Sequence, residues 1–250
     1  MISLDFKNKL VLVTGGGRGI GLEITRAIAE AGADLAITYT SKDCSDLAET
    51  LSQEFSVKVK AFRCDTADSQ QVDHSVEEIH GEFGKKVDIA ICNAGISLWR
   101  DSHDMSDAEL QNIFAVNAFG PFYTARALIR SWLGLETTVD PDSHTALGHL
   151  KEKGRVLRGK QVFLAGEWAP LGVSVNAISP GYVSTDMIAN PPDAKAETWV
   201  NEWQDRTPAG HFASPKTLGR FVALLVSDAA GGSGFLTGSD VVIDGGYTVF

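Results

Sequence analysis

One turn of chain limits what this sequence can fold into. Residues 11–21 read Val-Leu-Val-Thr-Gly-Gly-Gly-Arg-Gly-Ile-Gly. An apolar run suited to a buried strand enters a glycine cluster, and Ile20, Ile24, Ala27, Ile28 and Ala31 then recur at helical spacing until Gly32 ends the helix. Gly15, Gly19 and Gly21 lie between strand and helix. One such glycine takes backbone angles closed to L side chains, a second lets a dinucleotide approach the main chain, and a third lets helix and strand pack closely. The helix start would then face a pyrophosphate with unsatisfied N–H groups. The contact set read from this turn is Gly15, Arg18, Gly19, Ile20 and Gly21.

The next hundred residues repeat the unit. Asp34 to Tyr39 reads as a second strand, Asp43 to Phe55 as a second helix, Val57 to Cys64 as a third strand and Ser69 to Phe83 as a third helix. Val87 to Cys92 is a fourth strand, Asp107 to about Trp132 a long helical stretch, and Val173 to Ile178 and Val241 to Ile243 are late strands. Strands alternating with helices at this pitch require right-handed crossovers and a parallel sheet covered on both faces. The fold class is therefore α/β, a single Rossmann-type doubly wound domain over residues 1–250.

Composition narrows the partners. A net charge of −10 disfavours a nucleic-acid surface, which needs clustered cations. No run approaches the roughly 18 apolar residues of a membrane span, and the first residues lack a signal core, so a cytoplasmic protein is expected. Cys44, Cys64 and Cys92 are odd in number and widely spaced, which suits a reducing compartment. His144 and His149 find no cysteine or carboxylate pair to complete a zinc set, so no metal is expected.

The end of the second strand selects the nucleotide. An acidic residue there would bind ribose hydroxyls, whereas Thr40, Ser41 and Lys42 offer two hydroxyls and a cation. Arg18 adds a planar donor fork from the glycine turn. These groups favour a 2′-phosphate and hence NADP(H); Arg18 and Lys42 as solvated surface charges are the alternative.

With Thr14 to Gly21, Asn93-Ala94-Gly95, Asn117 and Pro180-Gly181-Tyr182-Val183-Ser184-Thr185 in this order, the chain resembles a short-chain dehydrogenase/reductase over residues 5–130 and 164–250. Residues 33–41, 164–168 and 243–248 are similar to the fungal-type NADP-dependent mannitol, arabinitol and sorbose reductase branch. The resemblance implies that Asp65 and Thr66 approach the adenine and that Asn93, Ala94 and Gly95 line the cofactor near its ribose. It implies that Pro180, Gly181, Val183 and Thr185 flank the nicotinamide, and that Asn117 helps hold a water in a proton relay. Asn93 could instead bridge neighbouring strands through its amide. A homo-oligomer, dimer or tetramer, and a small carbonyl or polyol substrate are also implied.

Carbonyl reduction needs a proton donor, and this family is known for a tyrosine with a lysine four residues later. No tyrosine of this chain has one. Counting back from Leu164 puts Leu150 and Gly154 in those places; a one-residue adjustment aligns His149 and Lys153 at the same i, i+4 spacing. Imidazole can serve as a general acid. Thr137 or Thr138 could replace the family's serine. Residues 131–163 are otherwise atypical. Lys151, Lys153, Arg155, Arg158 and Lys160 crowd together, and Gly148, Gly154 and Gly159 interrupt what is expected to be a helix. Remodelling and a misread coding segment both fit the abrupt edges. Residues 186–212, with Trp199 and Trp203 one turn apart, read as a substrate lid or a subunit contact. Two functions follow: a ketone or polyol oxidoreductase with a remodelled site, or a non-catalytic NADP(H)-binding protein partnering an active relative.

Overall fold

The computed structural model describes residues 4–139, 155–158, 163–228 and 235–249. Seven strands form one sheet: β1 (Leu10–Thr14), β2 (Asp34–Tyr39), β3 (Val59–Arg63), β4 (Ile89–Cys92), β5 (Arg155–Arg158), β6 (Ser174–Pro180) and β7 (Asp240–Ile243). Their order is β3-β2-β1-β4-β5-β6-β7, and every pairing is parallel. The chain therefore reverses its winding between β1 and β4, where the carboxyl ends of adjacent strands feed loops that turn opposite ways.

Both faces of the sheet are covered because its strands are apolar on both sides. Leu10, Leu12, Ala36 and Ala90 point into one core with α3 (Ser69–Phe83), α5 (Gly120–Trp132) and α6 (Phe163–Trp168). Val11, Val13, Leu35, Ile37, Ile89 and Ile91 point into the other with α1 (Gly19–Glu30), α2 (Ser45–Phe55) and α9 (Pro215–Val226). Successive strand residues alternate between the two cores, as a period of two demands.

Sequence boundaries held where local signals were strong. The second strand and third helix occupy the expected residues, and Asp68 caps α3 by accepting from the N–H groups of Gln70 (2.9 Å) and Gln71 (3.3 Å). Gly84 ends that helix in the left-handed region at φ 65°. The long helical stretch is α4 (Asp107–Phe114), a π-helical segment at Ala115–Phe119 and then α5.

One expectation is corrected. The helix anticipated through the basic stretch is a strand at Arg155–Arg158, whose backbone pairs Val156 with Ala90 on one side and Val175 on the other. A strand with partners on both sides satisfies every ladder group, and that outweighs the weak local pattern. His149 and Lys153, with Leu150, Lys151 and Gly154, lie outside the described residues, as do Gly148, Gly159 and Lys160. Thr137 and Thr138 are in no strand. Thr137 donates to Glu77 of α3 at 2.5 Å, and Arg130 donates to the carbonyls of Glu136 and Thr138, so this tail is fastened to the flank of the domain.

Asp73 of α3 is buried beside Arg126 of α5, which lies 4.0 Å away and faces the Tyr123 ring at 5.3 Å. Burial pushes the Asp73 carboxyl above the usual carboxylate range, and Arg126 opposes this only in part. With the folded pKa above the unfolded one, the native state holds the proton more tightly. Stability is lost as pH rises from about 3.9 through the folded value. Asp73→Asn is expected to raise Tm at pH 7, with the gain shrinking toward pH 4. Thermal melts across that range test it, and a lower Tm at pH 7 would show that the attraction to Arg126 dominates.

Candidate functional site

The crevice at the β1/β4 reversal is held open and rigid by main-chain chemistry. Gly15 and Gly19 take φ of +64° and +53°, a region that favours glycine. A Cβ on Gly21 would lie 2.2 Å from the Gly15 carbonyl oxygen and 2.5 Å from Asn93 Nδ2, so α1 meets the turn at a distance only a bare backbone permits. Asn93 Nδ2 donates to the carbonyls of Thr14 (3.0 Å) and Gly15 (3.2 Å), which binds β4 to β1 across the crevice. The amide bridges neighbouring strands in this way.

Hydroxyls not singled out in the sequence complete the frame. Thr38 accepts from the Gly15 N–H (3.3 Å), Thr14 accepts from the Ala94 N–H (3.0 Å), and Thr25 donates to the carbonyls of Gly16 and Gly21. A threonine in a strand reads only as a β-former, so its bond across the sheet carries no sequence signal.

The start of α1 is left open. Side chains cap α3, α4 and α8 (Ala194–Asp205); the N-cap residue of α1, Arg18, makes no capping bond and the first turn holds no acid, as is also true of α5 and α9. Such an end favours an anion. Arg18 and Lys42 are exposed, and neither is ion-paired among the described residues. Thr40 is exposed and donates to the Cys64 carbonyl at 3.4 Å, and Ser41 is exposed beside it. Asp43, next to Lys42 in sequence, is engaged elsewhere. It accepts from Ser45 N (2.8 Å) and Ser45 Oγ (2.6 Å), and those bonds hold its carboxyl below the ordinary range.

The remaining expected residues cluster at the carboxyl ends of the strands. After β3, Asp65 receives a bond from Ala67 N (3.0 Å), while the adjoining Thr66 is buried against Gly120. After β6, Gly181 N donates to the Ile243 carbonyl at 3.0 Å, and buried Val183 bridges to Ala213. Thr185 stands across the turn: a Cβ on Gly19 would lie 3.5 Å from its methyl.

Asn117 sits in the π-helical segment, facing the loop that follows Gly95. Its Oδ1 accepts from Ile96 N (2.9 Å) and its Nδ2 donates to Ile96 O (2.8 Å). Both ends of one amide thereby clamp one residue. The extra residue in the helical turn lets the side chain meet the loop, a use common for π-bulges.

The outer wall is aromatic. Trp203 of α8 stacks on Tyr182 (4.6 Å, 6°) and on Trp99 (5.6 Å, 24°), and Trp99 also stacks on Trp199 (6.4 Å, 6°). Each such pair contributes about 0.5–1.5 kcal/mol beyond the area buried. The i, i+4 tryptophans were legible in the sequence; their partner Trp99, in the loop after β4, was not. Desolvation, then the Tyr247 hydroxyl, pushes the Tyr182 phenol up to about 12. Of the histidines and acids described, Asp101, His103 and Asp104 gather their ligand atoms within 4.8 Å at the surface, where Lys195 pairs with Asp101.

A parallel βαβ sheet with an open, acid-free helix start at its reversal has the geometry in which dinucleotides are bound. Residues 9–138 match the short chain dehydrogenase family, and residues 157–248 match a second family described as enoyl-(acyl carrier protein) reductase. The chain belongs to the short-chain dehydrogenase family. It is 34% identical to an NADP-dependent mannitol dehydrogenase of Hypocrea jecorina, over 98% of this chain and 94% of the relative. It is 32% identical to a sorbose reductase of Candida albicans, over 98% of this chain and 88% of that one. A short-chain type dehydrogenase/reductase from Mycobacterium marinum superposes with a TM-score of 0.79 at 29% identity, covering 98% and 97% of the two chains.

Gly21→Ala is expected to lower stability by about 1–3 kcal/mol, because the nearest atom is backbone rather than a flexible side chain. It should also remove dinucleotide binding. A variant that melts like wild type and binds NADPH normally would contradict the close approach.

Proposed function

We propose that this chain is an NADP(H)-dependent oxidoreductase acting on a ketose, a polyol or a related small carbonyl. The observation that carries it is the uncapped, acid-free start of α1 at Arg18, together with Lys42 after the second strand, neither cation ion-paired among the described residues, and Asp43 turned to Ser45. That donor set fits a pyrophosphate and a 2′-phosphate, and NADPH bound there would supply a hydride to a carbonyl carbon. The kinship to mannitol dehydrogenase and sorbose reductase supports the substrate class.

The chain's own residues would divide the work. Gly15, Gly19, Ile20 and Gly21 offer backbone to the pyrophosphate; Arg18, Thr40, Ser41 and Lys42 hold the 2′-phosphate; Asp65 and Thr66 border the adenine. Ala94 and Gly95 line the ribose, with Asn93 fixing their loop. Pro180, Gly181, Val183 and Thr185 flank the nicotinamide, and residues 186–212 form the lid. Asn117 holds Ile96 and through it a relay water. His149, aided by Lys153, or water would give the proton to the substrate oxygen.

A second reading is a non-catalytic NADP(H)-binding protein that pairs with an active relative. The sequence favours keeping it, because Tyr39, Tyr123, Tyr182 and Tyr247 all lack a lysine four residues on. The two readings share the nucleotide site and differ in turnover. Either suits a homo-oligomer, and among the described residues no helix is long and apolar enough to cross a membrane.

Fluorescence titration should show NADPH bound more tightly than NADH. Arg18→Ala and Lys42→Ala should each weaken NADPH by about tenfold while leaving NADH unchanged. Equal losses for both nucleotides would remove the 2′-phosphate assignment. In single turnover against a ketose and diketone panel, His149→Ala should slow the chemical step without altering NADPH affinity. An unchanged rate dismisses His149 as the acid, and tight binding with no turnover in the wild type selects the second reading.

A further inference from the structure

The loop after β4 and the segment after β6 are joined by more than the crevice requires. Trp199 and Trp203 project from one face of α8, a turn apart, and Trp99 stacks against both. The far side of Trp203 is taken by Tyr182. Two polar contacts flank the rings. Ser97 Oγ donates to Met187 Sδ of α7 (Asp186–Ala189) at 3.2 Å, and Lys195 pairs with Asp101 while lying 5.0 Å over the Trp199 ring. The two Trp99 stacks, the Ser97–Met187 contact and the Lys195–Asp101 pair tie residues 97–101 to residues 187–203. Trp99 itself follows Ile96, the residue gripped at both backbone groups by Asn117, by three positions.

We propose that Trp99 is a positioning residue, a clasp that seats the flap of residues 186–212 on the same loop whose backbone Asn117 fixes. Flap closure and the placement of Ile96 are then one event. Opening the flap pulls Trp99 away from both tryptophans and loosens the loop that leads back to Gly95. The ring stack does the holding. The Lys195–Asp101 pair is exposed and screened by salt, whereas the half-buried stacked rings carry no charge for salt to screen. Thioether sulfur is a weak acceptor, so the Ser97 contact yields easily.

This inference rests on the reading that NADP(H) lies beneath the flap, and it is tested with and without nucleotide so that the two can fail separately. In the cofactor-free full chain, Trp99→Ala should abolish the exciton signature of stacked indoles in circular dichroism and speed proteolytic cleavage within α8 by about tenfold. Trp99→Phe should restore most of the protection. Lys195→Ala should differ from wild type only at low salt. With NADPH bound, stopped-flow release should be about tenfold faster in Trp99→Ala and near wild type in Trp99→Phe. Unchanged cleavage in a folded Trp99→Ala protein overturns the clasp, as does a Lys195→Ala variant that reproduces its effects at high salt. Should Trp99→Ala not fold, Trp199→Phe and Trp99→Phe must show graded cleavage, and equal rates overturn it. Loss of protection in a chain that binds no dinucleotide would leave the clasp standing and defeat the cofactor reading.

Discussion

The site depends on how closely α1 approaches its own turn. Gly21 leaves no room for a Cβ against the Gly15 carbonyl, and that carbonyl is also held by Asn93 from the neighbouring strand. One oxygen therefore sets both the pitch of α1 and the separation of β1 and β4. If it moved, the helix start would no longer stand over the reversal of the sheet, where a nucleotide is met by backbone from both halves. The hydroxyls of Thr14 and Thr38 serve the same end, each holding one loop N–H that would otherwise be free to turn away.

The start of α1 forgoes a stabilising side-chain cap. A side-chain cap is worth about 1 kcal/mol to a helix, and α3, α4 and α8 each have one. Forgoing the cap at α1 leaves N–H groups and a positive dipole end available to an anion. Asp43, next to Lys42 in sequence, is turned to Ser45 at the start of α2. The protein's overall charge of −10 makes this small cationic rim more selective, because it stands out against an acidic surface.

The opposite wall follows a different physical logic. Near Asn117 a π-helical segment exchanges regular hydrogen bonding for a side chain aimed at Ile96, and beyond it four stacked rings join a loop to a surface helix. Polar clamps set angles, whereas aromatic faces slide and separate at modest cost. The glycine-turn side is accordingly fixed by polar clamps, and the opposite wall is joined by aromatic faces.

The sequence by itself determined the α/β class, the alternation that buries both faces of the sheet, and the glycine turn. These are local properties: apolar period, a cap such as Asp68, a stop such as Gly84. It also carried the family kinship, through motifs whose spacing is kept over most of the chain. Tertiary structure alone decided the rest. Arg155–Arg158 is a strand because β4 and β6 offer ladders on both sides, although its own residues suggest a basic surface. Asn117 is a clamp and Trp99 a rung in a stack because residues far apart in sequence were brought to one end of the sheet. Thr137 belongs to α3 for the same reason. Propensity and period act over a few residues, but a contact between loops is fixed by where the whole sheet places them.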